Sequence, residues 1–355
     1  MARDIGVLVV DDSAFMRKML TDILQSAREI RVVGTARDGL EALNKVKELN
    51  PDVITLDVEM PSMDGLSCLR ELQKISDTPV IMLSSHTGTG EKATIEALEA
   101  GAIDFITKPT GLFDISGEQK KKEIIEKVRM AKKIRRGRYE TEKRAAAIPA
   151  ARELHAGRKY NDLKTLVVIG TSTGGPKALQ EVIPFIPDDI PAAVVIVQHM
   201  PPGFTKSLAD RLNMLSRLTV KEGENNELMR PGFAYIAPGD FHMEVVRDGP
   251  DMKLRLTKGP PLGSLRPAVN VLMDSVAKTG FPDVIGVVMT GMGNDGKEGI
   301  VKMKKANNAV IITQDEQSCV VYGMPKSAVS TGVVDAIVPL KEISEVIVKY
   351  MGVDQ

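Results

Sequence analysis

Three apolar runs in the second half of this 355-residue chain end in residues that together suit acyl transfer. KTLVVIG leads into Thr171-Ser172-Thr173-Gly174-Gly175, AAVVIVQ into His199, and DVIGVVMTGMGN into Asp295. A serine hydroxyl is a poor nucleophile until a neighbouring base takes its proton, and histidine titrates in the range that suits the task. A buried carboxylate behind the histidine fixes its tautomer and stabilises its charged form. If each run is a strand of an open parallel sheet, all three residues lie at carboxyl ends, where such sheets bind ligands.

Gly170-Thr171-Ser172-Thr173-Gly174 fits the G-x-S-x-G elbow, in which a strand turns sharply into a helix and displays the serine. Pro176 suits the first turn of that helix, whose amino end favours a developing negative charge. A phosphate loop fits less well, because Pro176 stands where that motif needs lysine and Lys177 lacks a following Ser or Thr. A dinucleotide fingerprint fails because Ser172 replaces its second glycine. Taken alone, the elbow is matched by a structural glycine-rich turn. Of the four histidines, His86 belongs to the first half and His155 to the joint between halves, which leaves His199 and His242. His242, in APGDFHMEV, is the reserve base; a structural role is its more ordinary reading. Asp283 and Asp274 are less well placed than Asp295, one before a strand and the other within a helix. The order Ser…His…Asp departs from that of α/β-hydrolases, but geometry defines a triad and chain order does not.

The elements that position these residues come in two sets. Residues 1–109 alternate strand-like runs (IGVLVV, RVVGTA, DVITLD, PVIMLS, DFITK) with amphipathic segments such as FMRKMLTDILQ, GLEALNKVKEL and ATIEALEA. Five such units imply a parallel sheet with helices on both faces, closed by a last helix over KKKEIIEKVRMAKKI. Residues 136–161 lose clear periodicity and read as a basic, partly helical linker. From 162 onward a second α/β set begins, with a β-rich stretch near 217–257 and helical patterns near 204–215, 267–279 and 341–350.

The first set carries its own constellation. Asp11 and Asp12 follow the first strand, Asp57 ends the third, Ser84 the fourth and Lys108 the fifth. Three carboxylates in one crevice repel one another unless a hard divalent cation joins them, and Mg²⁺ suits a few carboxylates, several waters and a phosphate oxygen. Lys108 then offers a point charge to an incoming phosphoryl group and Ser84 a hydroxyl. Singly, Asp12 or Ser13 could be a helix cap and Lys108 a surface lysine; all five at successive strand ends argue for a site.

Composition narrows the partners. No apolar run approaches the ~20 residues that span a bilayer, so no membrane insertion is expected. MARDIGVLVVDDS has no secretory-signal features, and two distant cysteines suggest neither a disulfide framework nor a zinc site, so a cytoplasmic protein is expected. The net charge is zero, yet residues 118–159 hold 15 Lys/Arg against 6 Asp/Glu. Nucleic acid is one partner for such a run, but a solvated helix and linker is the better reading, since no DNA- or RNA-binding motif accompanies it.

Two resemblances follow from these residues. Residues 1–135 resemble a two-component receiver domain in LVVDDS, DVEMPSMDG, Ser84, Phe105 and the Lys108-Pro109 step. This implies a flavodoxin-like five-stranded parallel sheet, with Asp57 as phosphoacceptor and Mg²⁺ held by Asp11, Asp12 and Asp57. Ser84 and Phe105 would be the switch pair, and a histidine kinase the phosphodonor. Residues 162–355, through IGTSTGGP, QHMPPGFTKSLADRLN, YIAPGDFH, LRPAVNVLMDS, TGMGNDG and CVVYGMPKSAV, resemble the catalytic domain of the CheB-type chemoreceptor methylesterases. A doubly wound, mostly parallel α/β esterase domain is implied, needing no cofactor for ester hydrolysis. Its substrates would be methyl-accepting chemotaxis receptors, with Ser172, His199 and Asp295 as triad. Thr173 and Met292 are the oxyanion donors that the resemblance suggests. It also implies that the unphosphorylated receiver covers the esterase crevice and that phosphorylation loosens this contact. The rival readings are a DNA-binding response regulator and a phosphorylation-controlled scaffold with an idle triad.

Overall fold

The computed structural model describes residues 4–108, 118–134 and 162–352. The linker expected over 136–161, with His155, lies outside the described residues, as does Pro109. Two compact units divide the chain, 1–140 and 141–355. No helix among the described residues is long and apolar enough to cross a membrane.

In the first unit five strands pair in parallel, in the order β2-β1-β3-β4-β5. They are β1 (Ile5–Val10), β2 (Ile30–Ala36), β3 (Val53–Asp57), β4 (Val80–Ser84) and β5 (Asp104–Thr107). All are short apolar runs, as a sheet covered on both faces requires. Each of the first four helices starts at a side-chain cap that accepts from an otherwise orphaned amide. Ser13 caps Ala14–Gln25, Asp38 caps Gly39–Leu49, Asp64 caps Gly65–Ile75 and Thr87 caps Gly88–Glu99. Glu118–Lys133 is the last helix, and its Ile124 and Val128 join Leu20, Leu24, Val7, Val53 and Ile81 in one core. Strand order reverses between β1 and β3, so the crevice opens beyond their carboxyl ends.

The second unit is a seven-stranded sheet in the order β14-β13-β12-β6-β7-β9-β8, every pairing parallel. Its strands are β6 (Thr165–Thr171), β7 (Ala192–Gln198), β8 (Thr219–Glu222), β9 (Phe233–Ile236), β12 (Asp283–Val288), β13 (Val310–Gln314) and β14 (Ala336–Val338). The β-rich stretch therefore divides. Its first two strands join the parallel sheet, while β10 (His242–Asp248) and β11 (Asp251–Thr257) form a separate antiparallel hairpin. That hairpin packs on the helix Val269–Thr279. β6 and β7 are buried along their whole lengths. From β6 the chain moves to one side of the sheet, through β7, β8 and β9, and returns to β12 on the other. The reversal lies between β6 and β12, the three central strands being β12, β6 and β7.

Candidate active site

Those three central strands deliver the three predicted residues. Thr171 stands opposite Gln198 and Gly170 opposite Val288, so Ser172 and His199 are the next positions on neighbouring strands, which lie roughly 4.8 Å apart. The His199 amide donates to the Thr171 carbonyl at 3.2 Å and the Ser172 amide to the Thr290 carbonyl at 3.0 Å. Both residues are thus fixed by continuation of the sheet ladder. Beyond Ser172 the chain turns at Gly174, with φ of 78°, into the helix Gly175–Val182, with Pro176 in its first turn. This is the strand–turn–helix geometry expected of the elbow.

His199 Nε2 lies 2.8 Å from Asp295 Oδ2. With Nε2 facing the carboxylate, Nδ1 is the ring nitrogen left to accept a proton. Asp295 is held on every side: the Val269 amide donates to Oδ2 at 2.6 Å, and the amides of Asn270 and Gly296 donate to Oδ1 at 2.8 and 3.0 Å. Val269 and Asn270 open the helix Val269–Thr279, whose Ala268 cap offers no side-chain acceptor, so Asp295 caps that helix from a distance. Burial alone would raise the pKa of Asp295, but the bonds from His199, Asn270 and Val269 outweigh it and hold the carboxyl below its ordinary value.

The alternatives fall elsewhere. His242 is buried at the start of the hairpin, where its Nε2 donates to the Pro260 carbonyl at 3.2 Å. Asp283 is the exposed first residue of β12, and Asp274 pairs with Lys278 and Lys302. Of the expected oxyanion donors, Thr173 is half-buried in the elbow and Met292 is exposed in the turn after β12.

Sequence reasoning missed the residues that grip the elbow. The Thr290 carbonyl accepts from the Thr171 hydroxyl at 2.9 Å as well as from Ser172. Its own hydroxyl donates to the Thr173 carbonyl at 3.0 Å and accepts from the Val321 amide at 3.0 Å. Asn270 Oδ1 accepts from the amides of Gly296 and Gly299, at 3.1 and 2.8 Å, and so fastens the turn that carries Asp295. Gln198, 2% exposed, turns its carboxamide under the nucleophile. The only signal for Gln198 and Thr290 is a polar side chain at the end of an apolar run, and Asn270, inside an apolar helical stretch, offers none.

The first unit gathers its own five residues at the carboxyl ends of its strands. Asp11 and Asp57 are buried and Asp12 exposed, with carboxylate oxygens within 4.8 Å of one another. Lys108 Nζ lies 2.7 Å from Asp57 and 2.9 Å from Asp11. Burial, together with the charge of Asp11, pushes the pKa of Asp57 up to about 6 against the pull of Lys108. Burial would lower Lys108, but its two carboxylate partners outweigh it and raise its pKa. Two buried carboxylates and an exposed third, all oxygen donors, fit Mg²⁺ rather than a softer metal. The Ser84 hydroxyl faces the Ser85 and Gly90 carbonyls, each at 3.3 Å, and accepts from the Thr94 hydroxyl at 2.6 Å. Phe105 is buried, and the Lys127 ammonium sits 5.2 Å from its ring centre.

Comparison with known proteins bears on both units. The family model described as CheB methylesterase matches residues 167–347, and that of the response regulator receiver domain matches residues 7–117. Relatives named protein-glutamate methylesterase/protein-glutamine glutaminase span nearly the whole chain. That of Pyrococcus horikoshii is 46% identical over 354 residues, covering 99% of this chain and 95% of its own. That of Halalkalibacterium halodurans is 48% identical over 345 residues (97% and 98%), and that of Thermotoga maritima 45% over 349 (98% and 99%). The crystal structure of the Thermotoga maritima CheB methylesterase catalytic domain is 45% identical, with a TM-score of 0.50. It covers 53% of this chain and 97% of that one.

Proposed function

Because this chain belongs to the CheB methylesterase family, with a response regulator receiver domain in front, we propose that it hydrolyses glutamate methyl esters and deamidates glutamines on chemotaxis receptors through a serine acyl-enzyme, under phosphorylation control. The chain is an enzyme of the protein-glutamate methylesterase/protein-glutamine glutaminase class. The observation that carries the mechanism is the 2.8 Å His199–Asp295 pair one strand away from the Ser172 elbow.

In the first step His199 Nδ1 takes the Ser172 proton while Ser172 Oγ attacks the side-chain carbonyl carbon. Negative charge develops on the carbonyl oxygen, where the backbone amides of Thr173 and Met292 are the donors to test; such a donor contributes roughly 10²–10³ in rate. The tetrahedral species collapses as His199 returns the proton to the departing methoxide, releasing methanol. Water, deprotonated by the same histidine, then attacks the acyl-enzyme and frees the glutamate. With glutamine the leaving group is ammonia. Asp295 stays ionised and stabilises the imidazolium.

Control belongs to the first unit. Asp57 would accept the phosphoryl group from a histidine kinase, in the cytoplasm where that kinase's catalytic parts reside. Asp11, Asp12 and Asp57 would hold a magnesium ion, which supplies charge neutralisation for the phosphoryl oxygens. Lys108 is within reach of the same oxygens. For Ser84 to meet a phosphoryl group on Asp57, its hydroxyl would have to leave Gly90 and Thr94; by resemblance to receiver domains, Phe105 would be the residue that responds with it. Phosphorylation then shifts the population between a less active and a more active state.

The test measures methanol from methylated chemoreceptors with the intact protein, with the protein plus acetyl phosphate and Mg²⁺, and with Ser172→Ala. Release that rises with the phosphodonor and vanishes in Ser172→Ala is expected. Equal release from Ser172→Ala removes the nucleophile assignment, and release indifferent to phosphodonor removes the switch.

A further inference from the structure

Gln198 ends β7 one residue before the base, and its side chain does something that no apolar residue there could do. Its Nε2 donates to the Ser172 carbonyl at 3.0 Å and to the His199 carbonyl at 3.3 Å. One carboxamide therefore holds the peptide of the nucleophile and the peptide of the base together. These two acceptors set its orientation: turned over, its oxygen would face two carbonyl oxygens with no proton between them, and as it stands Oε1 is buried without a hydrogen-bond partner. The surroundings are shaped to it as well. A Cβ on Gly175 would lie 2.0 Å from Gln198 Oε1, so the elbow helix starts against the carboxamide itself.

We infer that Gln198 is a positioning residue of the acyl-transfer site, which locks the Ser172 peptide against the His199 peptide and aims the Thr173 amide; this rests on the esterase reading above. The peptide between Ser172 and Thr173 is planar and trans, so its N–H points opposite to its C=O. The Ser172 carbonyl accepts from Gln198 on one side and from the Gly175 amide at 2.8 Å on another. Fixing that carbonyl fixes the direction of the Thr173 N–H, an expected oxyanion donor. Such a donor helps the transition state more than bound substrate, because the charge it meets exists only there. Losing its aim therefore lowers kcat and leaves KM nearly alone.

The full chain is assayed for methanol release from methylated chemoreceptors, with wild type and Ser172→Ala alongside Gln198→Met and Gln198→Glu. Gln198→Met keeps the volume and removes both donors. Its kcat should fall about 10- to 100-fold with KM changed less than about twofold. Affinity for an alkylboronic acid, which forms a tetrahedral anion on the serine, should fall by the same factor as kcat. Gln198→Glu supplies the readout that a merely structural role would not move. A buried glutamate among carbonyl oxygens can donate only when protonated, so its rate relative to wild type should climb as pH falls from about 9 to about 6. A wild-type kcat in Gln198→Met, a loss carried by KM alone, or unchanged boronic-acid affinity overturns the inference. Should Gln198→Met fail to fold, a flat Gln198→Glu ratio across that pH range overturns it equally. If wild type releases methanol and Ser172→Ala does not, such results remove Gln198's role and leave the esterase reading standing. If Ser172→Ala matches wild type, the esterase reading falls and takes this inference with it.

Discussion

The two crevices of this protein sit at equivalent places, beyond the carboxyl ends of strands where a parallel sheet reverses its order, yet their carboxylates are treated in opposite ways. Asp295 is buried and meets four donors, His199 and the amides of Val269, Asn270 and Gly296; against burial, the bonds from His199, Asn270 and Val269 hold its pKa down. Asp57 is buried beside a second carboxylate with one lysine between them, and its pKa is pushed up to about 6. The first arrangement is finished: it stabilises a charge that never changes and needs no partner from outside. The second is the arrangement proposed above to receive a magnesium ion and a phosphoryl group. A catalytic base requires fixed geometry through many turnovers. A switch requires two states of similar energy that an incoming group can tell apart.

The largest expected effect breaks the finished site. Asp295→Asn keeps the shape, and the amides of Asn270 and Gly296 still demand an oxygen at the Oδ1 place, so the new NH₂ takes the Oδ2 place that faces His199 Nε2, at the further cost of the bond from the Val269 amide. That forces the tautomer with a proton on Nδ1, which cannot take one from Ser172. Methanol release should fall roughly 10⁴-fold, measured as kcat on methylated receptor. Stability supplies a second readout with a definite sign. The folded pKa of Asp295 lies below its ordinary 3.8, so its stabilisation is fully present above that value and is lost as pH falls through the folded pKa. The difference in melting temperature between wild type and Asp295→Asn should therefore shrink as pH drops below about 4. A difference independent of pH would mean that the carboxylate is not held as described.

The two sites were also unequally legible in the sequence. The residues of the acidic crevice, Ser172 and His199 follow apolar runs, while Asp295 lies in the glycine-rich turn beyond β12; a strand end is visible as the point where such a run stops. Hence Asp11, Asp57, Ser84, Ser172 and His199 can be placed from the pattern of apolar runs. Gln198, Thr290 and Asn270 could not, because their work is side chain to backbone across 26 to 117 residues and leaves no spacing to read. The helix Lys297–Asn307 shows no clear period in the sequence because glycines 296 and 299 interrupt its pattern, and a Cβ on Gly299 would lie 2.4 Å from the Met273 side chain. The 217–257 stretch read as β-rich, but alternation does not reveal which partner a strand will choose. Only the structure separates β8 and β9 from the β10–β11 hairpin.

Magnesium should divide the units. An ion held by Asp11, Asp12 and Asp57 stabilises only the fold that presents them. At ten times its dissociation constant it should add about 1.4 kcal/mol to the receiver unit's unfolding transition and nothing to that of the esterase unit. Calorimetry with Mg²⁺ and with EDTA reads both transitions in one sample. Asp57→Asn should abolish most of the gain, whereas Asp295→Asn should leave it intact. A Mg²⁺ response that survives Asp57→Asn would place the ion elsewhere.

One buried cysteine in each unit sharpens the contrast at the finest scale. Cys68 lies in the helix that follows the Asp57 loop, and burial, reinforced by Asp38 and Asp64, pushes its thiol up to about 12; burial pushes Cys319 up as well. Only the thiolate reacts with a disulfide reagent, so both should be modified at least about 100-fold more slowly than a free cysteine at neutral pH. Each reacts mainly when its surroundings open, and its rate then reports the stability of those surroundings. Mg²⁺ at ten times its dissociation constant should slow Cys68 by about tenfold, the same 1.4 kcal/mol read as a rate, while Cys319 keeps its pace. If both thiols slow together, the ion stabilises more than the crevice that holds it, and the division between an open switch and a finished catalytic site would have to be redrawn. If only Cys68 responds, the difference between the two carboxylates is local, as their hydrogen bonds imply.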